Sequence, residues 1–353
     1  MTRAPSDTDY TNDPLLDTMG WQPFFADQVA EGNTAPPIRI TEVHRNGLRG
    51  RGVGLDPLLP PSIQATVGDW LLFDAETPSA SRVLERKSLI KRRAPGIERQ
   101  IQLIAANIDT VFIVSSCNLD FNVARLERYV ALVLDAGVTP VILLTKADLC
   151  DTPETYAEQA RGISDLVPVV VLNAKFDEPK EKLAQWCHRG QTVAFLGSSG
   201  VGKSTLTNAL TEEIVAKTQG IREDDARGRH TTTRRQLHLI PNGCAVIDTP
   251  GMRELQLTDA GVGVATLFPD LYEISTQCKF RDCTHASEPG CAVRAAALNG
   301  TVDQERLARW EKLAAEEKAN AAILELRKST DKTDRKPVKY MKRQVTKGPK
   351  RRR

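Results

Sequence analysis

The sequence predicts a multidomain protein: a small N-terminal β-barrel, a central α/β domain on a parallel sheet, and a C-terminal, mostly helical metal-binding module. Three observations lead there. The 353 residues are about twice what one hydrophobic core commonly organises. Short strand-like runs between glycine turns give way near residue 105 to alternating strand and helix patterns. Three of the seven cysteines then fall within fourteen residues beside a histidine, a grouping that favours metal ligation in a reducing compartment over a disulfide framework. With 41% hydrophobic and 26% charged residues, the composition excludes a disulfide-held miniprotein and a mainly disordered chain. No apolar run approaches the ~20 residues that span a bilayer, and the start of the chain lacks a basic-then-apolar signal, so a cytoplasmic protein without membrane contact is expected.

Residues 1–37 form a polar, proline-bearing extension whose patch Trp21, Phe24 and Phe25 is expected to dock on the body. From 38 to 104 the pieces IRITEV, IQATV and WLLFD alternate with turns at Asn46-Gly47, Gly50, Gly52 and Gly68-Asp69. Closure into a barrel protects edges that so short an all-β segment otherwise exposes. The segment Arg82–Arg93, with six basic residues and one acidic, is expected to touch nucleic acid rather than stand as a solvated charged face. Residues 105–260 read as the α/β domain. Its strands are expected at 110–114 (TVFIV), 141–145 (VILLT), 167–172 (VPVVVL), 193–196 (VAFL) and 244–248 (CAVID). Helices at about 121–136, 179–187 and 203–210 cover both faces of the sheet. Residues 261–327 hold the cysteine cluster and a helix from about 303 whose Leu307, Trp310 and Leu313 share a face. Residues 328–353 are a basic tail. The stretch 327–353 carries 13 basic and 2 acidic residues, so a net charge of +3 for the chain leaves the body at −8. A phosphate-rich partner therefore meets the tail and local patches rather than the whole surface.

Gly197-Ser198-Ser199-Gly200-Val201-Gly202-Lys203-Ser204 follows VAFL and precedes a helix, matching G-x-x-x-x-G-K-[ST] in the context the motif requires. Its glycines let backbone N–H groups wrap a phosphate, Lys203 can bridge β- and γ-phosphates, and Ser204 can ligate Mg²⁺. Asp248 opens Asp248-Thr249-Pro250-Gly251 at the end of a strand. Its carboxylate can hold Mg²⁺ through water, and the Gly251 N–H can sense the γ-phosphate. Base choice comes from Thr145-Lys146-Ala147-Asp148, which follows another strand. A carboxylate accepts hydrogen bonds from guanine N1–H and its 2-amino group, donors that adenine lacks, so Asp148 argues for GTP over ATP. Lys146 can lay its methylenes over the base, and Asn173-Ala174-Lys175 supplies a backbone contact to the base oxygen. In conventional GTPases the phosphate loop comes first; here it follows the base-reading motifs. Because motifs must converge in space and not in sequence, a rotated chain order still makes one sheet and one pocket.

Cys278-x4-Cys283-x-His285-x5-Cys291 offers three thiolates and an imidazole, a donor set for one tetrahedral, structural Zn²⁺. Cys117, Cys150, Cys187 and Cys244 read as buried small apolar residues.

On these residues the chain resembles the ribosome small subunit-dependent GTPases, a bacterial family of circularly permuted GTPases. The resemblance covers about 38–318, through VGDW (67–70), IAANID (104–109), TKAD, GSSGVGKST, GRHTTTR (228–234), DTPG and CKFRDCTHASEPGCAV (278–293). It implies an OB-fold, a permuted GTPase domain and a zinc domain, in a monomeric factor that binds the small ribosomal subunit and its rRNA. Such a factor assists late maturation and couples hydrolysis of GTP to GDP with release from the particle. The resemblance further implies that Thr145, Lys146, Ala147, Asp148, Asn173, Ala174, Gly251 and the run Gly197, Ser198, Ser199, Gly200, Val201, Gly202, Lys203, Ser204, Thr205 bind GTP. Ser204, Asp248 and one of Thr231–Thr233, taken as Thr232, would meet Mg²⁺; Cys278, Cys283, His285 and Cys291 would hold zinc. His230 would occupy the first-switch position that assists hydrolysis, alongside Lys203. Thr145 stands where many GTPases have Asn, which removes one amide tether. Met252 stands where Ras-like enzymes have Gln, and a thioether cannot orient water, so slow intrinsic turnover stimulated by the small subunit is expected. A constitutive RNA-binding scaffold with a structural nucleotide is the competing reading.

Overall fold

A computed structural model describes residues 13–93, 101–211, 235–248 and 261–334, with 93 and 320–334 as backbone alone. Helices α1 (Pro14–Thr18) and α2 (Pro23–Ala26) each start on a proline, whose missing N–H costs nothing at that position. Asp13 caps α1, its carboxylate accepting from the Leu15 N–H at 2.8 Å. Leu16, Met19, Trp21 and Phe25 are buried against Trp70, Leu72 and Leu84, while Phe24 remains 40% exposed. The expected patch therefore docks through Trp21 and Phe25 only.

The β-rich part contains β1 (Pro37–His44), β2 (Gly47–Arg51), β3 (Leu58–Leu59), β4 (Trp70–Leu72), β5 (Arg82–Val83) and a hairpin of β6 (Leu89–Arg93) and β7 (Ile101–Ala106). Ile38, Ile40, Leu48, Leu59, Leu71 and Phe73 form its core. One expectation is corrected. IQATV is not a strand: only Val67 makes an isolated bridge, to Ala105. The chain then turns at Gly68 (φ +91), where a Cβ would lie 2.1 Å from the Ala106 carbonyl oxygen. Among the described residues the ladders run β5-β4-β1-β2-β3, with the β6–β7 hairpin joined to them by the single Val67–Ala105 bridge. The first half of β1 pairs with β4, and its far end runs on to pair Glu42 and Val43 with Gln236 and Arg235. Eight residues of β1 outlast the three of β4, and the surplus edge is satisfied by the central sheet.

That sheet comprises β8 (Thr110–Ser116), β9 (Thr139–Thr145), β10 (Val169–Val171), β11 (Thr192–Leu196), β12 (Arg235–Leu239) and β13 (Ala245–Asp248), in the order β10-β9-β8-β11-β13-β12. All neighbours are parallel except β12 against β13. Alternate residues serve opposite faces. Val111, Ile113, Ile142, Leu144, Ala194 and Leu196 face the core built with α3 (Val123–Asp135) and α4 (Pro153–Arg161). Phe112, Val114, Val141, Leu143, Val193 and Phe195 face α5 (Glu178–Leu183) and α6 (Lys203–Thr211). The rotated chain order thus yields one continuous sheet.

Arg39 joins the parts. It is 1% exposed and donates to the Gly68 and Asn107 carbonyls at 3.2 Å, the Thr192 hydroxyl at 2.9 Å, and the Met19 carbonyl. Burial lowers its pKa to about 10 against the raising fields of Asp109 and Asp69, which leaves it charged at neutral pH.

After residue 260 come α7 (Gly261–Leu267), α8 (Pro269–Thr276), α9 (Ala292–Leu298) and α10 (Gln304–Asp334). A Cβ on Gly263 would lie 1.9 Å from the Ala131 carbonyl oxygen, so α7 crosses α3 with backbones nearly touching. Leu307, Trp310 and Leu313 complete the same core as α3 and β8. The buried Glu127 accepts from Arg309 Nε at 2.9 Å, and Arg128 pairs with Glu316. The C-terminal helices are therefore bound to the α3 face by shared apolar packing and two ion pairs. No helix among the described residues is long and apolar enough to cross a membrane.

Candidate functional site

The carboxyl ends of parallel strands in an open α/β sheet form a crevice where their loops meet. Here β11 enters the 197–202 loop, β9 enters Thr145–Asp148, and β10 enters Asn173–Lys175. Gly197 (φ +152) approaches β8 so closely that a Cβ would lie 2.2 Å from the Val114 carbonyl oxygen. Val201, 2% exposed, anchors the loop in the core beneath α6. The helix opens at Lys203, with Ser204 and Thr205 half-buried on its first turn. Lys203 Nζ donates to the Gly197 carbonyl at 2.7 Å and also to that of Ser198, which curls the lysine over the loop.

The Thr145–Asp148 and 197–202 loops are in direct contact. Thr145 is fully buried, its hydroxyl 2.6 Å from the Val201 carbonyl oxygen and 3.1 Å from that of Ser115. One hydroxyl carries one proton, and the nearer Val201 takes it. The tether expected to be lost with the absent Asn is thus supplied by a hydroxyl. A Cβ on Gly202 would lie 3.6 Å from Ala174 Cβ and 3.7 Å from Thr145 Oγ1, so Asn173-Ala174 belongs to the same crevice. Lys146 takes a left-handed conformation (φ +58), and Asp148 is exposed on the short helical turn after it. Asp248 ends β13 beside β11 and is half-buried. Ser204 and Asp248 are hard oxygen donors of the kind that could hold Mg²⁺. His230, Thr231, Thr232, Thr233, Gly251 and Met252 lie outside the described residues.

The basic segment 82–93 behaves otherwise than expected for a free nucleic-acid patch. Arg86 makes a two-pronged bond to the buried Asp69 at 2.7 and 2.9 Å, Lys87 pairs with Asp109 at 2.9 Å, and Arg82 donates to the Gln28 carbonyl at 2.8 Å. Burial raises the Asp69 pKa even against Arg86. Arg92 Nε also donates to Gln102 Oε1 at 2.9 Å, so at least four of that segment's six basic residues make internal bonds.

A second cluster lies between α8 and α9. The ligand atoms of Cys278, Cys283, His285 and Cys291 all fall within 4.8 Å of one another. His285 Nδ1 is 3.6 Å from Cys278 Sγ and 3.5 Å from Cys291 Sγ, and those sulfurs are 3.9 Å apart. A tetrahedron with ~2.3 Å Zn–S and ~2.0 Å Zn–N bonds has edges of about 3.5–3.8 Å, so the donors fit a zinc-sized ion. Burial raises the Cys278 thiol, but N–H groups of Val293 and Ala292 and the neighbouring thiols outweigh it, leaving its pKa below the ordinary value. Cys283 is pushed up to about 11 by burial and the adjacent thiols. Glu288 braces the loop, accepting from the Thr284 N–H at 2.8 Å and from its hydroxyl, which holds its pKa down to about 2. The Glu127–Arg309 link escaped the sequence reading, since nothing local marks partners 182 residues apart.

Comparison with known proteins agrees with this geometry. The family model described as RsgA GTPase matches residues 83–258. A model described as ABC transporter matches 182–353, a span that opens around the phosphate loop common to many nucleotide-binding proteins and omits Thr145–Asp148. The small ribosomal subunit biogenesis GTPase RsgA of Mesorhizobium japonicum is 51% identical over 319 residues, covering 88% of this chain and 92% of that protein. RsgA 2 of Vibrio parahaemolyticus is 47% identical over 89% of this chain and 88% of its own length. Among solved structures, YloQ, described as a circularly permuted GTPase, is 27% identical with a TM-score of 0.54, over 80% of this chain and 95% of its own. YjeQ from Thermotoga maritima, at 24% identity and a TM-score of 0.56 over 80% and 98%, shares the fold.

Proposed function

This chain belongs to the RsgA GTPase family, and we propose on that premise that it hydrolyses GTP to GDP and phosphate while assisting biogenesis of the small ribosomal subunit, whose rRNA it binds. The observation that carries the nucleotide reading is the meeting of Thr145, Ala174 and the 197–202 loop in one crevice. Asp148 reads the guanine edge, Lys146 lies over the base, and Asn173-Ala174 meets the base oxygen. The amides of 197–205 and the Lys203 ammonium stabilise charge spreading over the phosphoryl oxygens as water attacks in line. Ser204, Asp248 and Thr232 would hold Mg²⁺, whose charge would offset that of the phosphates. His230 positions the water, and the Gly251 N–H responds to the γ-phosphate.

The domain assignment that goes with this reading is an extension at 1–37, an OB-fold at 38–104, a permuted GTPase domain at 105–260, a zinc-binding domain at 261–327 and a basic tail at 328–353. Zinc on Cys278, Cys283, His285 and Cys291 is structural: four protein donors leave no position for a reacting water. The protein works as a cytoplasmic monomer, its tail adding phosphate contacts. Sedimentation with isolated small subunits at fixed salt tests the reading. More chain should travel with the subunit in a non-hydrolysable GTP analogue than in GDP, including after deletion of 328–353. Equal binding in the two nucleotides refutes release by hydrolysis.

A further inference from the structure

We propose that Phe176 stacks its ring on the purine of the bound nucleotide, an affinity contact beyond the base-edge reading by Asp148; the inference rests on guanine lying at Asp148. β10 runs in register with β9, Val171 opposite Leu144, so the loops 145–148 and 173–177 leave the sheet side by side. Ala174 reaches the phosphate loop at Gly202. Two residues on, Phe176 is 83% exposed and holds φ +61. Bulky side chains rarely take that conformation, and strain of this kind collects at binding sites. The ring has no core burial to offset it. The chain leading to it is tied down: Asn173 Oδ1 accepts from the Lys175 N–H at 3.0 Å, and Lys182 Nζ donates to the Val171 carbonyl at 2.7 Å. Leu149, 75% exposed, directly follows Asp148, so each of the two loops carries an exposed apolar side chain. A flat heteroaromatic ring is the occupant that such an aromatic at the rim of a base-reading loop accepts, and stacking is tolerant of base identity while the carboxylate is not.

Titrations of GDP and a non-hydrolysable GTP analogue into the full chain, with thermal unfolding in parallel, test this. Phe176→Asn and Phe176→Gly relieve the left-handed strain; both should unfold no lower than wild type yet bind each nucleotide about tenfold more weakly. The loss should be equal for the two nucleotides because the base is common to both. Phe176→Trp should retain affinity and gain an emission change on GDP addition that wild type lacks. Wild-type affinity in Phe176→Asn and Phe176→Gly overturns the stacking role, as does a loss confined to the GTP analogue. Failure of the wild-type chain to bind either nucleotide instead overturns the assignment of the crevice on which the inference stands.

Discussion

Replacing Thr145 with valine keeps a branched side chain and deletes one hydroxyl. That hydroxyl is buried, 2.6 Å from the Val201 carbonyl oxygen and 3.1 Å from that of Ser115. Valine leaves the Val201 carbonyl without this donor inside a closed loop, at a cost of ~1–3 kcal/mol. Little of that cost should appear as global unfolding, because the sheet under Thr145 is secured by β8 and β10 on its two sides. It should appear as lost registry between the base-reading and phosphate loops, and hence as weaker nucleotide binding. One to three kcal/mol corresponds to about 5- to 150-fold in Kd. Calorimetric titration of GDP and a GTP analogue should show the same loss for both, because each spans both loops; Thr145→Ser should restore affinity. Valine binding as tightly as threonine would refute the argument that this hydroxyl couples the two halves of the site.

Asp148→Asn should weaken GTP binding and relax the preference for GTP over ATP, since an amide donor then faces the base donors; an unchanged preference in competition titrations removes Asp148 from base reading. Cys283→Ser should lower zinc content below one per chain and reduce the thermal stability of the C-terminal helices, and stoichiometric zinc with an unchanged melting curve contradicts the ligand set. Burial raises the Glu127 carboxyl above its ordinary range although Arg309 opposes the shift. A raised acid contributes stability that is complete below the unfolded value and is lost as pH rises through the folded one. Glu127→Gln should therefore flatten the fall in melting temperature as pH rises above about 4, the ordinary glutamate value; parallel wild-type and variant profiles refute this.

The central strands were legible in the sequence because burial on both faces leaves runs such as TVFIV with no polar residue to obscure them. β12 was not: RQLHL buries only Leu237, and its polar residues leave no strand pattern to read. α4 escaped for a related reason, since PETYAEQAR buries only Ala157 and Ala160 and has no apolar stripe. IQATV looked like a strand from its alternation, but Gly68 turns the chain before a ladder can form. The 197–204, 145–148 and cysteine–histidine motifs were readable because each packs its donor groups into a short contiguous stretch. The Thr145 tether was invisible as such, its acceptor being a backbone carbonyl 56 residues away. The internal use of Arg86 and Lys87 was hidden likewise, because a basic run looks the same whether its partners are phosphates or Asp69 and Asp109.

On the function proposed above, motifs in rotated chain order form one guanine-specific hydrolytic site answering to the small ribosomal subunit. Steady-state phosphate release from GTP and from ATP, each with and without isolated small subunits, tests it most directly. GTP turnover should be slow for the chain alone and rise clearly when subunits are added, with no comparable turnover of ATP in either condition. Equal rates with GTP and ATP, or GTP turnover that subunits leave unchanged, would contradict it.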